Sequence, residues 1–181
     1  VIGLDEVGRG AFAGPIVAAG VIYKPNFTHK LLDLVNDSKL VKPKLREELS
    51  IFIKENSTWV IESVGMDYIN ENGIGKANIK VFTNIIDRLK PIDNNFFILA
   101  DGRFPQSKTQ KGIIKGDRLS LSIASASIIA KVFRDNLMVE NSGHYPLYKF
   151  DQNKGYGTAF HRNAIKQNGL CDYHRKSFRI N

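Results

Sequence analysis

Four acidic residues in this chain stand where apolar runs stop. Asp5 and Glu6 follow VIGL, Asp101 follows FFILA, and Asp117 follows GIIKG. Carboxylates that met at neutral pH would repel one another unless they were protonated or bridged by cations. Hard oxygen donors with no accompanying His or Cys cluster select Mg²⁺ or Mn²⁺ over Zn²⁺. Two such ions about 4 Å apart suit in-line displacement at phosphorus, one activating water and the other stabilising the leaving oxygen. Adjacent residues of a regular strand point to opposite faces. Asp5 and Glu6 can share one centre only if the strand ends or bulges there, or if a backbone carbonyl takes part. Gly8 makes such a bend cheap. A single acid at a strand end is ordinarily a solvated loop residue; four of them behind apolar strands in a basic chain make a metal centre an equal reading. The residue pattern reaches metal-dependent phosphodiester chemistry and no further.

The elements that would carry these acids are legible in outline. Val1–Leu4 reads as a buried strand, Ile16–Tyr23 as a second, Thr58–Val64 as a third, Phe96–Ala100 as a fourth and Gly112–Lys115 as a short fifth. Leu45, Leu49, Phe52 and Ile53 line one face of a helix from Pro43 to Lys54, with Pro43 at its first position. Ile74, Ala77, Val81, Ile85 and Leu89 form a second stripe, closed by Pro91. From Leu119 to Met138 the small and apolar residues lie on nearly every face, which predicts a buried helix close to the sheet. Thr158–Gln167 predicts a short last helix stopped by Gly169. The order implies an α/β chain, helices on both faces of a mixed sheet of five strands. The first three strands suit an antiparallel meander, and the later ones enter through helical crossovers.

Composition narrows the partners. The 181 residues hold 26 Lys+Arg against 18 Asp+Glu, a formal charge of +8, which favours a polyanion; solubility alone is the other reading. With 43% hydrophobic and 24% charged residues, a single domain over 1–181 is expected, its core over 1–140 and a helical extension over 141–181. One cysteine, Cys171, excludes an intramolecular disulfide and suits a reducing, cytoplasmic setting. No apolar run approaches the ~20 residues that cross a bilayer, and a monomer is the default. The chain opens at Val1 inside a strand, so further residues before it are expected. Cys171 and His174 have half the spacing of a zinc site, but no second pair exists to complete it.

Together these stretches resemble ribonuclease HII, the type 2 ribonuclease H family. GLDEVGRG resembles its opening motif and NDSKL (36–40) its next block. Asp101-Gly102, KGD (115–117), SIASASIIAKVFRD (122–135), KGYGTAFH (154–161) and HRKSF (174–178) follow in the family's order, almost end to end. The resemblance implies a ribonuclease H-like fold with a C-terminal helical extension. It implies cleavage of RNA in RNA/DNA hybrids and incision 5′ to single ribonucleotides in duplex DNA, leaving 3′-hydroxyl and 5′-phosphate ends. Asp5, Glu6, Asp101 and Asp117 match the family's metal-binding carboxylates, expected to hold two Mg²⁺ or Mn²⁺ ions; Asp135 reads instead as a helix-surface or salt-bridging residue.

Gly8, Arg9 and Gly10 match the turn that meets the ribose 2′-hydroxyl, the group that separates RNA from DNA locally, with the arginine on phosphate. Tyr156 matches the tyrosine stacked on the next sugar, which must be deoxyribose. Lys39, Lys154, Thr158 and His161 are candidate phosphate contacts, while His174 and Arg175 suggest packing or DNA contact. Ala11 departs from the family's usual Pro, and Lys42-Pro43 from a capping Ser. Two other classes stay in view: a silent nucleic-acid-binding module, and a phosphate-cradling nucleotide enzyme, which the missing Gly-Lys-Ser/Thr disfavours.

Overall fold

The computed structural model describes residues 1–90 and 96–179, so the expected helix stop at Pro91 lies outside the described residues. Five strands form one mixed sheet: β1 (Ile2–Val7), β2 (Ile16–Ile22), β3 (Thr58–Val64), β4 (Ile98–Asp101) and β5 (Gln110–Ile113), in the spatial order β3-β2-β1-β4-β5. β1 pairs antiparallel with β2, and β2 with β3, which is the expected meander; β4 runs parallel to β1, and β5 to β4. Two strands differ from expectation in a way that bears on the site. β1 does not stop at Leu4 but carries Asp5 and Glu6 within it, because β2 supplies partners as far as Val7 (Glu6 opposite Ala18, Val7 opposite Val17). β5 begins earlier than Gly112 and ends before Lys115, whose left-handed backbone (φ 58°) breaks the ladder. Residues 102–109, which join β4 to β5, hold no helix; Phe104 packs instead against the apolar cluster on one face of the sheet.

The helices are α1 (Pro43–Asn56), α2 (Met66–Leu89, broken at Gly73), α3 (Leu121–Ser142), α4 (Phe150–Asn153) and α5 (Ala159–Asn168). Alternation along β1 and β2 divides the core. Ile2, Leu4, Ile16 and Ala18 meet α2 through Val81, Phe82 and Ile85; Val17, Ala19 and Val21 meet α1 and α3 through Leu49, Ile53, Ala126 and Ile129. α3 starts at Leu121 rather than Leu119, which is left exposed. From Ile123 to Ala130 α3 is buried on every side, as its small residues predict. Gly3 permits the close approach: a Cβ there would stand 2.2 Å from the Ser122 carbonyl carbon. A third cluster, built on Ala13, Met138, Tyr148, Phe150, Ala164 and Tyr173, ties the end of α3 to α4, α5 and the tail.

Candidate active site

Three chain segments end at the same place. β1 brings Asp5 and Glu6, β4 ends on Asp101, and the turn after β5 carries Asp117; all four line one cleft of about 460 Å³ with Gly8, Arg9, Gly10, Lys39 and Tyr156. Thus nine of the residues singled out from the sequence are brought together. The strand neither bulges nor bends at Glu6. Asp5 lies on the α3 side, beside Ser127, whereas Glu6 lies beside Arg9, Oε1 3.7 Å from its Nη1. Both reach the cleft because the sheet stops at Val7 and the chain turns away at Gly8 (φ 89°).

The acids hold one another in tension. Burial pushes the Asp5 carboxyl well above the usual carboxylate range, and the nearby charges of Glu6 and Asp101 push it further. Burial also raises Glu6, with Asp101 adding to it and Arg9 opposing. Asp117 is raised by burial and by the charges of Asp37 and Asp101. Asp101 Oδ1 accepts from the Gly116 N–H at 2.7 Å, which seats the Asp117 turn against β4. Among the described residues no three His, Cys, Asp or Glu side chains stand already drawn into a closed coordination sphere. The donor set nevertheless fits a divalent ion. It is all oxygen, the charge of Asp101 raises the proton affinity of the other three, and Glu6 Oε2 is buried without a hydrogen-bond partner among the described residues.

The NDSKL block is bolted to this site. Asp37 Oδ2 accepts from Arg118 Nη2 at 3.1 Å and its Oδ1 from the Lys39 N–H at 3.0 Å. Burial alone would raise Asp37; these bonds outweigh it and hold the carboxyl below its ordinary value. Ser127 donates to Ser38 at 2.9 Å, joining α3 to the same block.

Three expected contacts lie elsewhere. His161 is fully buried, its Nδ1 2.9 Å from the Tyr156 carbonyl and its Nε2 3.0 Å from His174 Nε2, so it packs and cannot touch phosphate. Lys154 lines a neighbouring groove of about 260 Å³ with Arg46 and Asp135, outside the cleft. Thr158 caps α5, its Oγ1 accepting from the His161 N–H. Asp135 pairs with Lys131 at 2.8 Å, as a salt-bridging helix residue should. Cys171 Sγ lies 3.0 Å from His174 Nδ1 inside a tight turn; His174 is buried, and so is Arg175, which donates to the Arg9 and Gly14 carbonyls at 3.0 and 2.9 Å. Ser127 and Lys131 line the cleft and Arg134 underlies Gly8 and Tyr156; all three lie in the 122–135 block and were not singled out from the sequence. Their spacing along α3 (i, i+4, i+7) was the available signal.

The profile of the ribonuclease HII family matches residues 2–181. A ribonuclease HII of Clostridium beijerinckii is 46% identical over 182 residues, spanning 98% of this chain and 67% of the relative. This chain belongs to the ribonuclease HII family. It is therefore a nuclease of the ribonuclease H class. Among solved structures, the ribonuclease HII in the Archaeoglobus fulgidus complex with PCNA superposes with a TM-score of 0.82 at 23% identity, over 99% of this chain and 95% of that one. Bst-RNase HIII, determined in complex with Mn²⁺, gives 0.70 at 20% identity over 93% and 62%. These two likenesses establish the shared ribonuclease H fold. Ala11, where the resemblance leads to the expectation of Pro, is fully buried and its N–H reaches the Gly8 carbonyl at 3.2 Å, so the turn closes with Ala at this position.

Proposed function

We propose that this chain incises the phosphodiester 5′ to a ribonucleotide embedded in duplex DNA, and cleaves RNA in RNA/DNA hybrids. The observation that carries it is the meeting of the four acids with the Gly8–Gly10 turn and Tyr156 in one cleft. Asp5, Glu6, Asp101 and Asp117 would hold Mg²⁺ or Mn²⁺, as the Mn²⁺ complex of the ribonuclease HIII neighbour also suggests. Bound there, divalent ions supply a polarised attacking water and charge stabilisation at the departing 3′-oxygen.

The chain's own groups bind and orient. Glu6 holds Arg9 beside the acids, so the half-exposed guanidinium can take a phosphate oxygen bidentately. Gly8 cannot carry a Cβ because Arg134 lies beneath it, 2.2 Å from where that atom would sit; Gly10 has open space there instead. The fold thus accounts for Gly8, and a sugar edge against the backbone accounts for Gly10. Tyr156 offers the cleft one ring face, its other resting over Arg134 at 5.5 Å. A pure phosphate-binding module would gain nothing from buried acids at this spot.

The test is a duplex with one ribonucleotide, incubated with Mg²⁺ or Mn²⁺. Incision 5′ to the ribonucleotide is expected, and Asp101→Asn should lower kcat by about a thousandfold, the several kcal/mol that charge stabilisation by an ion provides. Wild-type protein inert with both ions, or an Asp101→Asn variant of undiminished rate, would defeat the assignment.

A further inference from the structure

Two loops face each other beside the cleft. Residues 8–15 carry the Gly8-Arg9-Gly10 turn, and residues 154–157 carry Tyr156. Their direct seam is short: the Phe12 and Ala13 N–H groups both donate to the Gly155 carbonyl, at 2.8 and 3.2 Å. Beneath the seam lies Arg134 of α3, with no solvent exposure. Its Nε donates to the Pro15 carbonyl at 3.0 Å, its Nη2 to the Ala13 carbonyl at 3.0 Å, and its Nη1 to the Lys154 carbonyl at 2.9 Å. The same guanidinium underlies the Tyr156 ring and packs against Gly8. One planar cation therefore touches both loops: Gly8, where the proposed ribose-reading turn begins, and Tyr156, the ring proposed to meet the next sugar.

Filling space does not explain it. Met138, one turn further along α3, already occupies the apolar gap under Gly14 and Gly155. Among the described residues every hydrogen-bond partner of Arg134 is a main-chain carbonyl and no carboxylate is bonded to it, so a full charge is buried where an apolar side chain would pack, a costly choice. What an apolar group could not do is hold carbonyls of both loops in one plane, which the guanidinium fork does.

We infer that Arg134 is a positioning residue: it sets the spacing between the Gly8–Gly10 turn and the Tyr156 ring, and so decides which sugar step fits between them. This rests on the reading that the turn meets the 2′-hydroxyl and the ring meets the following sugar. Slackening that spacing should cost discrimination before it costs chemistry, because the four carboxylates are carried by β1, β4 and the turn after β5.

The experiment compares wild type, Arg134→Lys and Arg134→Met on two duplexes, one with a single embedded ribonucleotide and one an uninterrupted hybrid. Circular dichroism and the Mn²⁺-induced rise in Tm are followed alongside. Lysine keeps the charge and loses the fork; methionine loses both. Arg134→Lys should fold and keep its Mn²⁺ response, yet lose about tenfold of the wild-type preference for the embedded ribonucleotide, chiefly through KM. Arg134→Met should lose more. A folded Arg134→Lys with the wild-type preference would overturn the inference, and so would failure of both variants to fold, which would make Arg134 an anchor of the fold alone. Met138→Leu, which disturbs the same seam without touching the fork, should keep the preference; an equal loss there would also overturn it. A wild type that incises both duplexes equally removes the underlying reading itself, an outcome distinct from the rest.

Discussion

Asp5 is the residue on which the site's electrostatics turn, since it is buried on β1 and lies near two further acids. In the metal-free protein its folded proton affinity exceeds that of the unfolded chain. Its contribution to stability is complete below the unfolded value of 3.8 and is lost as pH rises through the folded one, so at neutral pH the carboxylate is a cost. Asp5→Asn should raise the metal-free Tm by about 2–4 °C, the equivalent of about 1 kcal/mol in a chain of this size. Added Mn²⁺ should raise the Tm of wild type, by mass action, and leave that of the variant nearly unmoved. Differential scanning calorimetry at pH 7.5 with and without Mn²⁺ measures both; a metal-free variant less stable than wild type would contradict the charge argument. The acids themselves were legible because each closes an apolar run. Arg134 was not: a charged residue in a helix reads as solvent-facing, and of the three carbonyls that satisfy it two lie 119 and 121 residues away and the third 20.

At the scale of elements, the site depends on how closely α3 lies on β1. The small residues of α3 announced a helix pressed to the sheet, and the structure shows where the approach is tightest: over Gly3. Gly3→Ala would drive a methyl into the Ser122 main chain, and backbone cannot move aside as a side-chain tip can. Overpacking of this kind costs about 1–3 kcal/mol. Because α3 also carries Ser127 and Lys131, the shift should reach the cleft and lower incision rates as well. Urea denaturation and the single-ribonucleotide assay check the two parts; unchanged stability would mean that α3 is not seated on Gly3. The ends of elements were harder to read than their existence. β1 outruns its apolar run because β2 offers ladder partners as far as Val7, a tertiary effect absent from local pattern. The β4–β5 connection lacks the expected crossover helix because Phe104 anchors it to the α2 side of the sheet.

Across the whole molecule, composition pointed to a polyanionic partner and the motif order to the family, but not to how the C-terminal tail is fastened to the cleft. Arg175 grips the Arg9 and Gly14 carbonyls at 3.0 and 2.9 Å, and beside it the link from the tail to Tyr156 is a chain of neutral groups. The Cys171 N–H donates to His174 Nδ1 at 2.9 Å, His174 Nε2 lies 3.0 Å from His161 Nε2, and His161 Nδ1 lies 2.9 Å from the Tyr156 carbonyl. Only one set of tautomers satisfies it: His161 carries its proton on Nδ1, toward the carbonyl, and His174 on Nε2. A proton added to either ring leaves a donor facing a donor. Burial and then the neighbouring His161 accordingly bring His174 down to about 4, against 6.5 when unfolded. Between these values the unfolded chain binds the extra proton, so this stabilisation is complete above pH 6.5 and is lost as pH falls toward 4, about 2 kcal/mol or more in all. The raised acids of the cleft act in the opposite sense, so the difference between two proteins is the informative quantity. The urea midpoint of wild type minus that of His174→Gln should fall as pH is taken from 8 to 4.5, because the variant has lost the group that must stay neutral. Absolute stability of the variant is immaterial to the argument. Parallel pH profiles for the two proteins would show that His174 is not held neutral, and that the tail is fastened to Tyr156 by something other than this relay.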